Sequence, residues 1–308
     1  MKRLYINAIS FFILFAAIAL LFDRFSLKPD SRMVIAEWTD SVSYLTMDGT
    51  SEALPYFEKA GTSDGTTTLI IGDSVCRQLF NDLQEYNEDM TIIGSNGAVS
   101  TVGQYVLTSL YLDAHPDATD VYLFMLPESL SRSFDTTYGY SYIVLPLAQT
   151  GTLENLDQDT FDIMAETYGD FFVENRGIEL IDKSGLNRKL YLNAIQETGP
   201  GYEPEYPLDI ADRYVLKIND LCTERGVRFH MIPCPVSDEH IDQDEAFREM
   251  YGSSQMHEIF PDYPDEVYYY PAEQAADGVH FSGDYALRES LNEKVAIITE
   301  GTGLELIY

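Results

Sequence analysis

Apolar and polar positions alternate along this chain in blocks that predict strand, helix, strand, helix from about residue 67 onward. Leu69-Ile70-Ile71 is a short apolar run of strand type. After Gly72-Asp73-Ser74, residues Val75, Cys76, Leu79, Phe80 and Leu83 recur at spacings of three and four, one face of a helix. Residues 90–94 predict a second strand. Residues 101–114 predict a helix with Val102, Tyr105, Val106 and Leu110 on one face, stopped before Pro116. Residues 121–126 predict a buried third strand ended by Pro127, and 161–174 a helix. Residues 208–225 predict an amphipathic helix closed by Gly226, and 227–232 a fourth strand ending at Pro233. Residues 266–270 are placed as a fifth strand. Ser282 or Asp284 caps a last helix whose inward face is Leu287, Leu291, Val295 and Ile298. Such alternation predicts an α/β fold with a mostly parallel sheet covered by helices.

The start of the chain has a different pattern. Lys2 and Arg3 precede an uncharged run over 4–22 broken only by Asn7 and Ser10. Nineteen helical residues span about 28 Å, close to the ~30 Å of a bilayer core. The two cations mark the cytoplasmic side, so a single-pass anchor with everything after it outside the cytoplasm is expected. A cleaved signal peptide is the rival reading; Ala17-Ile18-Ala19 has the small-x-small form but lies inside the apolar run. The expected organisation is a cytoplasmic start and anchor over 1–22, a stalk and arm over 23–62, and one domain over 63–308 with an insertion around 129–207. Residues 37–45 read as a short helix or a strand. The aromatic stretch 129–151 either shapes a binding site or covers the core.

Charge narrows the partners. With 51 acidic and 19 basic residues the net charge is -32, which argues against nucleic acid, whose phosphates need clustered Lys and Arg. Three cysteines, Cys76, Cys222 and Cys234, make no disulfide framework; Cys222 and Cys234 flank a helix-to-strand passage, with buried free thiols the expected state. No Cys/His grouping has zinc-ligand spacing, so no metal and no cofactor is expected.

Ser74 stands at the junction of a strand end and a helix start, where helix N–H groups lack partners and favour negative charge. A plain reading makes it a helix cap. Downstream, Asp277-Gly278-Val279-His280 places a carboxylate and an imidazole three residues apart on one turn, able to face the same way. Gly-Asp-Ser early and Asp-x-x-His late, in that order, resemble the SGNH or GDSL hydrolase family over roughly residues 63–300. The resemblance implies a flavodoxin-like α/β/α sandwich, with Ser74 as nucleophile, His280 as general base and Asp277 as its orienting partner. It implies oxyanion donors from Ser74 N–H and from a glycine after the second strand, where Ser95-Asn96-Gly97-Ala98 resembles the glycine block. Either Gly97 or Ala98 takes the glycine's place. The family's asparagine after the third strand is absent, since Leu126-Pro127-Glu128-Ser129 stands there; Asn96 supplies its amide instead, or the hole has backbone donors only. Asp73 is expected to hold the turn by side-chain hydrogen bonds. Arg77 faces either a bound anion or solvent.

The layout is similar to bacterial envelope proteins that add or remove acyl groups on polysaccharides beside a polytopic membrane acyltransferase. It implies an esterase or O-acyltransferase acting on an acylated carbohydrate or another ester. A catalytically silent scaffold in cell-wall polymer assembly and an extracellular lipase or thioesterase are the alternatives.

Overall fold

A computed structural model describes residues 2–25, 49–132, 134, 139–153, 156–181, 191, 194–195, 208–283, 285–300 and 302–306. Helix α1 (Lys2–Phe25) is long and apolar enough over Tyr5–Arg24 to cross a membrane, and large side chains such as Phe12 and Leu21 are exposed along it. Membrane anchors and signal sequences share this form.

The next described element is helix α2 (Gly49–Ala60), whose Ala53, Phe57 and Ala60 are buried in the core. Of the expected stalk and arm, 49–60 is therefore built into the folded body, while 23–25 continue α1. The expectations for 37–45 lie outside the described residues. From there the chain makes strand β1 (Thr68–Gly72), helix α3 (Ser74–Phe80), strand β2 (Met90–Gly94), helix α4 (Ser100–Ala114) and strand β3 (Asp120–Met125). Helices α5 (Gln158–Tyr168) and α6 (Asp209–Arg225) precede strand β4 (Arg228–Pro233). Strand β5 (Val236–Ser237), helix α7 (Ile241–Tyr251), strand β6 (Tyr269–Tyr270) and helix α8 (Tyr285–Ile298) complete the order.

Four strands form one parallel sheet in the order β2-β1-β3-β4. Because side chains alternate across a strand, the sheet divides the core in two. Leu69, Ile71, Ile93, Val121 and Leu123 face the side covered by α2, α4 and α6. Ile70, Ile92, Tyr122, Phe124 and Ile232 face the side covered by α3 and α8, with Leu79, Phe80, Leu291 and Val295. The expected α/β class with a mostly parallel sheet holds. Gly226 ends α6 at φ 72°, the left-handed closure that its sequence predicts.

Three expectations change. The segment 266–270 adds no fifth strand to this sheet; only Tyr269–Tyr270 is extended, and it pairs with β5 in a separate two-stranded sheet beyond the Pro233-Cys234-Pro235 break. The helix expected over 161–174 stops at Tyr168, because Gly169 takes φ 88° and starts a new turn. Helix α4 is buried well beyond one apolar stripe, Thr101, Gln104 and Thr108 included, since it lies against β1, α2 and α6 together. In the aromatic stretch, residues 139–153 pack into the core, with Tyr140 edge-on to Tyr168; Tyr138 and Asp284 lie outside the described residues.

Two glycines let α3 close over the strand ends. A Cβ on Gly72 would stand 2.0 Å from Phe124 O, and one on Gly94 would stand 2.3 Å from the Arg77 backbone N and Cα. Backbone atoms cannot rotate aside as a side chain can. Gly94→Ala is therefore expected to push α3 off the sheet and to destabilise by about 1–3 kcal/mol, the usual range for overpacking. A thermal melt lower by several degrees, followed by circular dichroism, would bear this out, and an unchanged midpoint would sink it.

Candidate active site

All four main strands end at one edge of the sheet, and the residues singled out by the sequence meet there. Asp73 follows β1 and is fully buried. Its Oδ1 accepts the N–H groups of Val75 at 3.0 Å and Cys76 at 3.3 Å, and its Oδ2 accepts that of Leu126 at 2.7 Å. The Ser129 hydroxyl adds a further bond to it. Burial pushes the Asp73 pKa up, against the pull of Leu126 N–H, Ser129 and the two first-turn N–H groups. Asp73, not Ser74, is thus the helix cap, and it ties the ends of β1 and β3 together. The helix N-terminus is less open than its sequence implies, since two of its N–H groups are already taken. Among the described residues, the N–H of Ser74 has no acceptor.

Ser74 is 8% exposed. Its Oγ lies 2.8 Å from Nε2 of His280, a residue 206 positions away. On the other side of the ring, Nδ1 lies 3.0 Å from Oδ2 and 3.1 Å from Oδ1 of Asp277. A carboxylate only accepts, so Nδ1 carries the proton and Nε2 presents its lone pair to the serine hydroxyl. Asp277 Oδ1 also accepts the N–H groups of Val279 at 2.9 Å and His280 at 2.7 Å. Partial burial would raise the Asp277 pKa, but the His280 and Val279 N–H bonds and the imidazole outweigh it and hold the carboxyl at about 2.

The turn that carries these two residues is braced at its neck. Ala275 and Phe281 form an antiparallel bridge, Ala276 N–H donates to His280 O at 2.7 Å, and Ser282 N–H donates to Gln274 O at 2.7 Å. Gln78, one helical turn beyond Ser74, donates from Nε2 to Phe281 O at 3.2 Å. One helix therefore carries the serine and also holds the histidine's turn. His240 contacts Gly278 O at the tip.

After β2, Asn96 Oδ1 accepts the N–H of Ala98 at 3.0 Å, which fixes the amide with its NH2 as the free end. Gly97 N–H has no acceptor among the described residues, so Gly97 rather than Ala98 presents a donor, because Ala98 N–H is spent on the cap. After β3, the described residues 126–132 carry no side-chain amide. The Ser129 hydroxyl lies where a Cβ on Gly97 would come within 3.3 Å of it, but it is engaged by Asp73. Arg77 pairs with Glu52 at 3.0 Å, and Glu52 also accepts from Tyr142 at 2.8 Å, so the guanidinium is tied to α2.

Sequence reasoning missed Gln78, Ser129 and above all Gln104. The Gln104 side chain is buried in α4 and donates from Nε2 to Gly72 O at 3.0 Å and to Ser95 Oγ at 2.9 Å; Ser95 Oγ in turn donates to the same carbonyl at 2.8 Å. This knot joins the end of β1 to the glycine loop. Nothing in the helix sequence marks Gln104 out, since Thr101 and Thr108 are buried polar residues of the same helix. Gln104→Met removes two hydrogen bonds, but it also removes Oε1, a buried acceptor without a partner. The net loss is expected to be about 1 kcal/mol, a thermal midpoint lower by about 2–4 °C in a melting experiment.

Three other histidines pack against structural neighbours. His115 is buried and lies 2.8 Å from Asp64, His230 stacks on Tyr122 beside Asp120, and His257 sits edge-on to Tyr251. All three cysteines are free and buried, as expected. Burial pushes the thiols of Cys76 and Cys234, under the Asp73 turn, far up and away from a reactive thiolate. Among the described residues no group of three His, Cys, Asp or Glu could hold a metal ion. In comparisons with known proteins, no family model, curated protein or solved structure matches this chain.

Proposed function

We propose that this protein is a serine esterase or O-acyltransferase of SGNH type, held on the outer face of the cytoplasmic membrane by α1. The observation that carries the proposal is the line Ser74 Oγ, His280 Nε2, His280 Nδ1, Asp277 Oδ2, with contacts of 2.8 and 3.0 Å across residues distant in the chain. The strand order β2-β1-β3-β4 agrees with a flavodoxin-like sheet, and the site lies at the strand ends where such sheets bind ligands.

Ser74 Oγ attacks the ester carbonyl carbon while His280 Nε2 takes its proton. The N–H groups of Ser74 and Gly97 receive the oxyanion, with the Asn96 amide beside them. As the tetrahedral species collapses, the bond to the alcohol oxygen breaks, and His280 gives that oxygen its proton. Water or a sugar hydroxyl then attacks the acyl-serine, loses its proton to His280 and leaves with the acyl group, and Ser74 regains its proton. The substrate class is an acylated envelope or secreted carbohydrate, and a polytopic membrane acyltransferase is the partner that such an acceptor reaction would require. This last part is analogy with the family layout.

A catalytically silent scaffold is the second reading, favoured by one observation: residues 126–132, the described stretch directly after β3, carry no side-chain amide, and Ser129 is committed to Asp73. The full chain in detergent, given p-nitrophenyl acetate, separates the two. Release of nitrophenol, with covalent labelling of Ser74 by phenylmethanesulfonyl fluoride, is the expected result. Neither release nor labelling would leave the scaffold.

A further inference from the structure

Four successive carbonyls of the histidine turn are engaged, each by a different residue. Gly278 O meets His240 Nε2, and Val279 O accepts from the Tyr270 hydroxyl at 3.4 Å. His280 O accepts from Ala276 N–H at 2.7 Å, and Phe281 O accepts from Gln78 Nε2 at 3.2 Å. His240 and Tyr270 come from the segments around β5 and β6, and Ala276 from the neck of the turn itself. These three shape the turn but do not set its distance from Ser74. Of the four donors, Gln78 is the one that stands on α3 with the nucleophile. Four residues apart on a helix, Ser74 and Gln78 share one face, and their partners His280 and Phe281 are consecutive. Two contacts therefore cross from α3 to the turn side by side, Ser74 Oγ to His280 Nε2 at 2.8 Å and Gln78 Nε2 to Phe281 O.

The first contact must break and re-form as the proton moves, whereas the second takes no part in proton transfer and can persist through it. Packing does not confine the base: the side chains of Asp277 and His280 are 61% and 32% exposed, and the buried foot of the turn is Phe281. The Gln78 amide is also a poor choice for stability alone. Its Oε1 is buried and has no hydrogen-bond partner among the described residues, a cost that an apolar side chain of similar length would avoid. What the amide supplies there is the donor to Phe281 O.

Resting on the esterase reading above, we propose that Gln78 is a positioning residue: it sets the reach of His280 Nε2 to Ser74 Oγ without touching substrate. The full chain in detergent is assayed with p-nitrophenyl acetate. Gln78→Met keeps the length of the side chain and loses the donor; Gln78→Asn keeps the amide and withdraws it by one methylene. In both, kcat is expected to fall by roughly 10–100-fold, the scale of a group misplaced by about 1 Å. KM is expected to stay at the parent's value, since Gln78 acts on the base and not on the ester. Rates are taken per Ser74 labelled at completion by phenylmethanesulfonyl fluoride, so unfolded molecules do not count. In Gln78→Met the lost bond is offset by removal of the unpartnered Oε1, so the melting midpoint should stay close to the parent's. A parental kcat in both variants, a loss confined to KM, or a lower melting midpoint with kcat per labelled site unchanged overturns the inference and leaves the esterase intact. If the parent itself neither releases nitrophenol nor is labelled, the esterase reading has failed and the role of Gln78 falls with it.

Discussion

Ser74→Ala is expected to lower kcat for p-nitrophenyl acetate by on the order of 10⁶, to the residual rate that oriented binding and N–H donors supply without a nucleophile. The size follows from the chemistry: with Oγ gone there is no acyl-enzyme, and water would have to attack directly. His280→Ala is expected to have about the same effect, because a hydroxyl that cannot lose its proton is a poor nucleophile. The double variant should be no worse than either single one, since the two residues act as a unit. Stability separates this from unfolding. The described partner of Ser74 Oγ is His280 Nε2, and Asp73 rather than Ser74 caps the helix, so Ser74→Ala should melt close to the parent. Initial rates with matched melting curves make the measurement. A Ser74→Ala protein that keeps its rate would end the enzymatic reading, whatever its melting temperature.

The meeting of Ser74, His280 and Asp277 was open to sequence reasoning because the elements that carry them are locally encoded. β2 is a β-branched run with its own boundaries, and Met90–Gly94 is extended as expected. Asp277 and His280 lie on one short turn whose contacts are mostly within the turn itself. Other parts were illegible because their cause is distant. Helix α2 contains Pro55, which argues against a helix in any local reading; burial of Ala53, Phe57 and Ala60 against α4 and the 140–150 segment overrides it. The fifth strand failed for the reverse reason. Tyr269 and Tyr270 have strand-like side chains, but after the double-proline break the chain offers them only β5 as a partner. The buried knot of Gln104, Ser95 and Gly72 has no local signature, since its partners are as much as 32 residues apart.

The same contrast bears on how far each site residue can be trusted to act as its motif implies. Asp73 sits inside a common motif, yet its carboxylate is surrounded by donors that hold backbone in place and is sealed from solvent. Its chemistry is architectural: it locks the serine's turn to β3 through Leu126. Ser129, in the stretch after β3 where the family resemblance looks for an asparagine side chain, is absorbed into the same lock. On the proposed esterase reading the oxyanion would depend on the N–H groups of Ser74 and Gly97, which belong to neighbouring strand ends joined by Gln104 through Gly72 O and Ser95 Oγ. Precision in this site resides in the sheet edge, and only the proton-transfer group comes from a separate turn.

Asp277→Asn tests that separate turn. An amide in place of the carboxylate can donate to Nδ1, which favours the tautomer with its proton on Nε2, facing the serine and unable to take a proton from it. In a buried triad this substitution lowers kcat by about 10⁴. Here the Asp277 side chain is 61% exposed, so water shares the orienting role, and the expected loss is at most that large and smaller than for Ser74→Ala. The pH behaviour gives a second readout. The folded-state pKa of Asp277, about 2, lies below its ordinary value. The stabilisation from its bonds to Val279 and His280 is therefore present above the ordinary carboxylate range and is lost as pH falls through about 2. Its charge is therefore constant throughout the neutral range. A kcat for p-nitrophenyl acetate that is unchanged in Asp277→Asn would mean that Asp277 only shapes the turn.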